Sequence, residues 1–243
     1  EFLDGPEVSL FCITDGQSVV PLQPAQDFKR VGDDDAGPNT GGMGAYTPLP
    51  WAPADLVEEV VRIVAQPTVA EMARRGTPFA GLLYVGLALT SNGTRVIEFN
   101  ARFGDPETQV VLASLKTPLA GVLRAAAVGE LATLPPLEWY EGAAVTVVVA
   151  AENYPGTPVT GDPITGIEAA EAVEGVHVLH AGTKAGPDGV PVSAGGRVLS
   201  VVAQAPTLAE ARDNAYTAVN QIFLRGSHHR HDIADKAIEG SVV

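Results

Sequence analysis

Three polar side chains recur at every second position in a segment whose composition predicts a β-strand: Glu98, Asn100 and Arg102. Because successive side chains of a strand point to opposite faces, these three share one face, and we expect Ile97 and Phe99 to form the core face. A carboxylate and an amide oxygen are hard ligands of the kind that Mg2+ or Mn2+ accepts, and Arg102 could hold an anion beside the metal. The same pattern fits an edge strand with a solvated polar face, and the spacing alone does not separate the two interpretations.

The residues after this strand indicate that a helix begins at once. Gly104 allows a tight turn of the backbone, Asp105 is a residue type that caps helix N-termini, and Pro106 suits the first helical position. Glu107 would lie at the positive end of the helix dipole. We therefore predict a helix over residues 106–115 that anchors the strand carrying the three polar side chains.

Hydrophobic periodicity predicts the elements that position this strand. Residues 79–90 and 94–100 form an antiparallel hairpin around a Ser-Asn-Gly turn, and residues 8–14 and 18–22 form an earlier hairpin. A helix over residues 55–75 should kink or restart at Pro67, because proline lacks the backbone N–H that a helix interior uses.

A second unit follows Pro135 and Pro136, which mark the best candidate boundary. A helix over residues 118–128 precedes this boundary, and after it we predict strands over 143–152, 176–181 and 197–205 and a helix over 208–223. The sequence thus predicts an α+β protein with two domains, residues 1–135 and 136–243.

Residues 26–46 combine basic side chains with glycine and carry little apolar content. One interpretation is a mobile surface loop without a site. The other is a loop that closes over a phosphate, in which Lys29 and Arg30 supply charge and three glycines let backbone N–H groups approach the anion, namely Gly41, Gly42 and Gly44. No G-K-[ST] follows, so this is not a Walker A loop.

Composition limits the class of protein. Of the 243 residues, 46% are hydrophobic, enough for a substantial core, and the net charge of -14 argues against a nucleic-acid-binding or anionic-membrane surface. The longest apolar run, residues 143–151, is far shorter than the roughly 20 residues of a membrane helix. Cys12 is the single cysteine, so no intrachain disulfide forms and we expect a reducing compartment, the cytoplasm.

Three histidines near the C-terminus, His228, His229 and His231, are the residue type that binds zinc. No cysteine or suitably spaced fourth ligand accompanies them, so the cluster alone is weak support for a metal site.

The run from Glu98 to Gln109, EFNARFGDPETQ, resembles the signature of the glycinamide ribonucleotide synthetases, which are phosphoribosylamine-glycine ligases of the ATP-grasp group. Four further runs resemble the same family, in the same order: residues 26–46, HAGTK at 180–184, GGRVLSV at 195–201 and RHDIADKA at 230–237. The resemblance covers essentially the whole chain, and it implies the second half of an ATP-grasp fold followed by a small α+β C-terminal domain.

The resemblance implies an activity and assigns residues to it. The family joins glycine to 5-phosphoribosylamine with ATP, through a glycyl phosphate, to give glycinamide ribonucleotide, ADP and phosphate. Glu98 and Asn100 would hold Mg2+ or Mn2+, and Arg102 would steady the glycyl phosphate. The remaining assignments, again implied by the resemblance, concern ATP: backbone groups near Phe2 and Leu3 would meet the adenine, and Glu7 would bind the ribose hydroxyls.

The chain departs from the family pattern in two respects. Phe28 stands where a histidine is expected. The family's N-terminal domain and the lysine-bearing half of the ATP lobe are not encoded in these 243 residues, so we expect the missing part to be supplied in cis or by a separate chain. Two alternatives stay open, a non-catalytic fragment of such an enzyme and another ATP-grasp carboxylate-amine ligase.

Overall fold

The structure, a computed structural model, describes residues 2–242 and has the predicted α+β character. The strands among these residues are β1 (Glu7–Asp15), β2 (Val19–Pro21), β3 (Gln26–Asp27), β4 (Arg30–Gly32), β5 (Ala36–Asn39), β6 (Gly44–Thr47), β7 (Ala80–Thr90), β8 (Gly93–Asn100), β9 (Ala143–Ala150), β10 (Val176–His180), β11 (Thr183–Ala185), β12 (Pro191–Ser193) and β13 (Arg197–Ala205). The α-helices are α1 (Leu56–Val60), α2 (Gln66–Arg74), α3 (Glu107–Ser114), α4 (Leu119–Val128), α5 (Ile167–Glu171), α6 (Leu208–Val219) and α7 (Asp235–Glu239). No helix in this range is long and apolar enough to cross a membrane.

Two antiparallel sheets form most of the structure. The first has the order β2-β1-β7-β8, and β1 pairs with β7 in an unbroken ladder from Glu7 opposite Ala88 to Asp15 opposite Ala80. Residues 8–14 of β1 are all buried and mostly apolar, so both faces of the strand pack against other parts of the structure. The predicted hairpin of β7 and β8 lies beside this central strand, with β7 paired to β1.

The second sheet, in the order β10-β13-β9-β6-β3, joins strands from both sides of the predicted domain boundary. Strand β6 precedes residue 135 and β9 follows it, yet the two pair from Gly44 opposite Val147 to Thr47 opposite Ala144. One buried cluster likewise contains Val85 from the first sheet and Leu199 from the second. The division at residue 135 remains a prediction, and the packing of the two parts is continuous.

The predicted core face of β8 is wrong. Ile97 and Phe99 are 41% and 44% exposed, and Val96 beside them is 36% exposed. Strand β8 lies at the edge of its sheet. Its register with β7 shifts between Gly86 and Leu87, which leaves Ile97 in a bulge without a pairing partner. The bulge breaks the alternation of faces along the strand. Val96 and Phe99 line one side of a groove whose other side is formed by residues 63–75, among them Met72 of α2, so this helix covers them only in part.

The long predicted helix over residues 55–75 is interrupted as expected. A wide i→i+5 turn over Val61–Ala65 separates α1 from α2, and α2 begins just before Pro67. The proline lacks the N–H that would continue the helical ladder, and the wide turn accommodates this loss.

The predicted start of α3 needs a correction. The helix begins at Glu107, with Pro106 in the capping position, and Asp105 does not cap it. The Asp105 carboxylate instead accepts hydrogen bonds from Gln109 Nε2 at 2.9 Å and Arg197 Nη1 at 3.1 Å. Competing side-chain donors therefore draw this carboxylate away from the helix N–H groups.

Residues 26–46 are more ordered than their composition indicates. Strands β4 and β5 form a hairpin, and β6 lies inside the second sheet with Met43, Ala45 and Tyr46 fully buried. The few apolar residues of this segment are concentrated at its C-terminal end, where they reach the core. The interpretation of residues 26–46 as a mobile loop stays a prediction.

Candidate active site

A cavity of about 610 Å3 lies between the start of β1, strand β3 and the C-terminal helix α7. Its lining includes charged side chains from three parts of the chain, among them Glu7, Asp27, Lys29, Arg30 and Lys236. Such a mixture of anions and cations suits a polar, charged ligand. Several sequence-predicted binding residues therefore share one cavity, although they come from separate segments.

Glu7 and Lys29 form an ion pair at the wall of this cavity, and both side chains are partly exposed. Burial lowers the pKa of Lys29, but the hydrogen bond and charge of Glu7, together with the charges of Asp27 and Glu98, raise it overall. The Lys29 ammonium is therefore firmly protonated and lies within electrostatic reach of the predicted metal ligand Glu98.

The polar side chains of β8, the strand predicted to bind a metal, lie close together near its C-terminal end. Glu98 Oε1 accepts a hydrogen bond from Asn100 Nδ2 at 3.0 Å, at the open end of β8. Arg102 lies just beyond the strand, is exposed, and donates to the neighbouring carbonyl of Phe103 at 3.1 Å. Within residues 2–242 Arg102 makes no ion pair, so its charge is available to a ligand.

The glycines of the predicted phosphate loop have packing roles in the structure. The N–H of Gly41 donates to Tyr154 Oη and that of Gly42 to Thr40 Oγ1, each at 2.9 Å. A Cβ on Gly44 would come within 2.7 Å of Ile233 and of the Thr146 carbonyl. These contacts explain the glycines without an anion, and Lys29 and Arg30 are the basic residues of this loop that line the cavity.

Arg197, which belongs to the GGRVLSV run but was given no role from the sequence, connects this loop to the turn that follows the metal strand. Its Nη1 donates to the Gly41 carbonyl at 2.8 Å, to the Asp105 carbonyl at 2.9 Å and to the Asp105 carboxylate at 3.1 Å. The arginine stands at the start of β13, directly after Gly195 and Gly196. A Cβ on Gly196 would collide with the ring of Tyr154, so the glycine permits the close approach.

An acidic pair lies deeper in the site. Glu107 is buried and accepts a hydrogen bond from Ser9 Oγ at 2.9 Å. Burial and the charge of Glu107 raise the pKa of Asp27 well above its usual range. Sequence reasoning assigned Glu107 to the helix dipole and gave Asp27 no role, because neither burial nor their proximity is visible in the sequence.

Phe28, which replaces the expected histidine, packs against a buried arginine. The guanidinium of Arg230 lies 4.8 Å from the centre of the Phe28 ring. Arg230 is 1% exposed and pairs with Asp232 at 2.6 Å and with Asp35 at 2.8 Å. This arrangement joins the RHDIADKA run to the β4–β5 hairpin and gives position 28 a structural role.

The residues predicted to meet adenine lie at the start of the described chain. Phe2 is 91% exposed, and Leu3 is partly buried. The described lining of the cavity begins three residues after Phe2, at Gly5. Phe2 and Leu3 are therefore close in sequence to residues that line the cavity, but they are not part of the lining themselves.

The histidine cluster does not form a metal site in the part of the chain that the structure describes. No group of three histidine, cysteine or acidic side chains there is arranged to hold a metal ion. His231 instead contacts Asp33 at 3.0 Å, and its ring lies 4.6 Å from that of His229.

Comparisons with known proteins give a consistent result. The family model of the phosphoribosylglycinamide synthetase ATP-grasp (A) domain matches residues 1–108, and that of the phosphoribosylglycinamide synthetase C domain matches residues 144–236. The chain is 71% identical over 239 residues to a phosphoribosylamine--glycine ligase of Streptomyces coelicolor, covering 98% of this chain and 57% of the relative. It is 58% identical over 241 residues to that of Mycobacterium tuberculosis, covering 99% and 56% respectively.

Solved structures agree with the fold. The crystal structure of a phosphoribosylamine--glycine ligase from Thermotoga maritima is similar with a TM-score of 0.85 and 34% identity, covering 96% of this chain and 57% of that one. A biotin carboxylase domain from Hydrogenobacter thermophilus is similar in fold alone, with a TM-score of 0.64 and 14% identity, covering 93% and 48%. The chain thus spans a little over half the length of the relatives it matches.

Proposed function

Because the chain belongs to the phosphoribosylglycinamide synthetase family, we propose that it supplies the C-terminal part of an ATP-dependent ligase that joins glycine to 5-phosphoribosylamine. The products are glycinamide ribonucleotide, ADP and phosphate, and the reaction is a step of purine biosynthesis in the cytoplasm. The observation that carries the proposal is the contact of Arg197 with both Gly41 and Asp105, since it unites the matched A-domain and C-domain segments at one site.

The proposed reaction has two steps. A carboxylate oxygen of glycine attacks the γ-phosphorus of ATP, the bond to the bridging oxygen of ADP breaks, and glycyl phosphate forms. The nitrogen of 5-phosphoribosylamine then attacks the glycyl carbon, the amine loses a proton, and phosphate leaves. Arg102 is exposed and unpaired among the described residues, so it would contact the anionic acyl phosphate and favour its formation.

The donor set at the end of β8 fits a divalent cation. Glu98 and Asn100 present a carboxylate and an amide within hydrogen-bonding distance of each other, and both are hard oxygen ligands. We propose that these two side chains would hold Mg2+ or Mn2+, which when bound would offset the negative charge of the ATP phosphates. Lys29, held by Glu7 beside the cavity, would add positive charge at the same place.

The other contacts of ATP follow from the lining of the cavity. Glu7 has a carboxylate that can accept two hydroxyl hydrogen bonds, and we propose that it binds the ribose of ATP after exchanging its contact with Lys29. Phe2 and Leu3 precede the cavity lining and would meet the adenine through their backbone. Lys29 and Arg30, with the loop of Gly41, Gly42 and Gly44, would border the substrates.

A specific observation favours a second candidate, a non-catalytic piece of the enzyme. The relatives continue well beyond the matched region, which is 57% of the Streptomyces coelicolor protein. An ATP-grasp site holds its nucleotide between two lobes, so a chain with one lobe lacks the pre-organisation that catalysis needs. The missing N-terminal part, in cis or as a separate chain, would be the partner that completes the site.

A chimera tests the proposal. This chain would replace the matching region of the Streptomyces coelicolor relative, and ADP release would be measured with and without glycine and 5-phosphoribosylamine. We expect release that depends on both substrates in the chimera and none above background with the isolated 243-residue chain. A folded chimera without substrate-dependent release would overturn the proposed activity, and normal turnover by the isolated chain would overturn the need for a partner.

A further inference from the structure

Asp27 carries a buried oxygen atom that the protein itself does not satisfy. Its Oδ1 is inaccessible to solvent and has no hydrogen-bond partner within residues 2–242. The atom lies beneath the glycine loop, because a Cβ on Gly42 would come within 2.8 Å of it. Asp27 is one of the residues that line the 610 Å3 cavity, so a ligand in the cavity would bind next to it.

The surroundings of Asp27 favour a cation. Glu107 is buried nearby, and two neighbouring carboxylates in a dry site cannot both be ionised without a compensating charge. The two closest cationic side chains are engaged elsewhere, Lys29 with Glu7 and Arg197 with Asp105. The pair therefore needs either a proton or a cation from outside.

We propose that Asp27 binds the ammonium group of glycine and that Glu107 adds negative charge to this subsite. The proposal rests on the function proposed above. When glycine binds, its ammonium takes the place of the proton held by the acidic pair, and that proton passes to solvent. No covalent bond of the ammonium group forms or breaks in this exchange.

Chemistry decides which of the two amino substrates this subsite takes. Glycine reacts through its carboxylate and keeps its amine protonated, whereas 5-phosphoribosylamine must attack through an unprotonated nitrogen. A pair of carboxylates favours the protonated form of an amine, so it would assist the binding of glycine and hinder the second amine as a nucleophile.

Position supports the same choice. Lys29 is close enough to both Asp27 and Glu98 for each carboxylate to raise its pKa, although burial opposes the shift. The ammonium subsite and the proposed metal ligand Glu98 are therefore both within electrostatic reach of one lysine.

The test uses the chimera with Asp27→Asn, which preserves the shape of the side chain but removes its charge. We expect the KM for glycine to rise about ten- to a hundredfold and the KM for ATP to change less than about twofold. Inhibition by glycolate, which carries a hydroxyl in place of the ammonium, should change much less than the affinity for glycine. Glu107→Gln should give a smaller rise in the KM for glycine.

Asp213→Asn is the matched control, because Asp213 is a 78% exposed carboxylate on α6 outside the site. Proton release on glycine binding, measured by calorimetry in two buffers, should fall in Asp27→Asn and not in the control. An active chimera in which Asp27→Asn leaves the KM for glycine unchanged, or raises the KM values for glycine and ATP equally, overturns this inference alone. A wild-type chimera without glycine-dependent ADP release overturns it together with the proposed function.

Discussion

Arg197 Nη1 lies 2.9 Å from the carbonyl oxygen of Asp105 and 3.1 Å from its carboxylate. Asp105 follows the strand that carries Glu98 and Asn100, whereas Arg197 begins a strand in the other matched segment of the chain. The same guanidinium reaches the carbonyl of Gly41. One side chain thus fixes the relative positions of the glycine loop, the turn before α3 and the second sheet.

Arg197→Met should weaken the contacts that hold the glycine loop and the turn before α3 against the second sheet. The variant keeps the apolar stem but leaves the carbonyls of Gly41 and Asp105 without their charged donor, a loss of about 2 kcal/mol for hydrogen bonds of this kind. We expect chimera turnover to fall at least about tenfold with a small loss of thermal stability. Arg124→Met, which changes a 73% exposed arginine, should leave turnover at the wild-type value. Equal turnover of the two variants would contradict the role of Arg197.

Glu98→Gln and Arg102→Ala should impair the chimera in different ways. Glu98→Gln removes the charge of a hard metal ligand, so activity should fall and partly recover as Mg2+ or Mn2+ is raised. Arg102→Ala removes a cation near developing negative charge, which should cost roughly 3 kcal/mol, about a hundredfold in turnover, without recovery by metal. Metal titrations of turnover measure both effects. Identical metal curves for Glu98→Gln and wild type would refute the ligand assignment.

Arg230→Met should destabilise the isolated chain strongly. Arg230 is 1% exposed, and its removal leaves the largely buried carboxylate of Asp232 and the more exposed one of Asp35 without their partner, which should cost about 3 kcal/mol. Arg225→Met changes an exposed arginine paired with Asp162 and should have a much smaller effect. Thermal and urea unfolding followed by circular dichroism compares the two. Equal midpoints would show that Arg230 contributes no more than a surface arginine.

Asp27→Asn should make the chain more stable at neutral pH even though it lowers activity. Burial and the charge of Glu107 raise the pKa of Asp27 above 3.8, and the facing cations Lys29 and Arg197 reduce this shift without reversing it. The folded state therefore binds more protons than the unfolded state above pH 3.8, and the free energy of unfolding falls as pH rises through the folded pKa. In Asp27→Asn this decrease in the free energy of unfolding with rising pH is absent. Urea unfolding from pH 4 to pH 8 should show a difference between wild type and variant that grows with pH, and a constant difference would contradict the assignment.

Cys12 should be inert towards thiol reagents in the folded chain. The thiol is fully buried on β1, and burial raises its pKa to about 12, so almost no thiolate exists at neutral pH. We expect labelling by a disulfide reagent at pH 8 only after unfolding in guanidinium. Rapid labelling of the native chain would show that β1 opens locally.

Local signals in the sequence identified most elements but not their contacts. The β7–β8 hairpin and the interruption before Pro67 were predictable because turn residues and proline act through the adjacent backbone. The exposure of Phe99 was not, because alternation says nothing about whether another element covers a strand. The spacing of Glu98 and Asn100 predicted that they lie on one face, and their hydrogen bond agrees with that proximity.

Residues distant in sequence were missed for the same physical reason. Asp27 and Glu107 are 80 positions apart, and only the folded chain brings their charges together. Arg197 lies in a glycine-rich run that is also typical of an ordinary turn. Phe28 differs from the family pattern, but its contact with Arg230 depends on the C-terminal segment returning to the loop.

The partly exposed apolar side chains of β8 affect the behaviour of the chain in solution. Val96, Ile97 and Phe99 expose apolar surface next to the unpaired backbone edge of a strand, which is the arrangement that lets strands of separate molecules add to one another. The net charge of -14 opposes this association at low ionic strength, and salt screens the repulsion. Purified chain should therefore remain dispersed in dilute buffer and form larger species as salt is added, whereas Phe99→Lys should keep it monomeric in analytical ultracentrifugation.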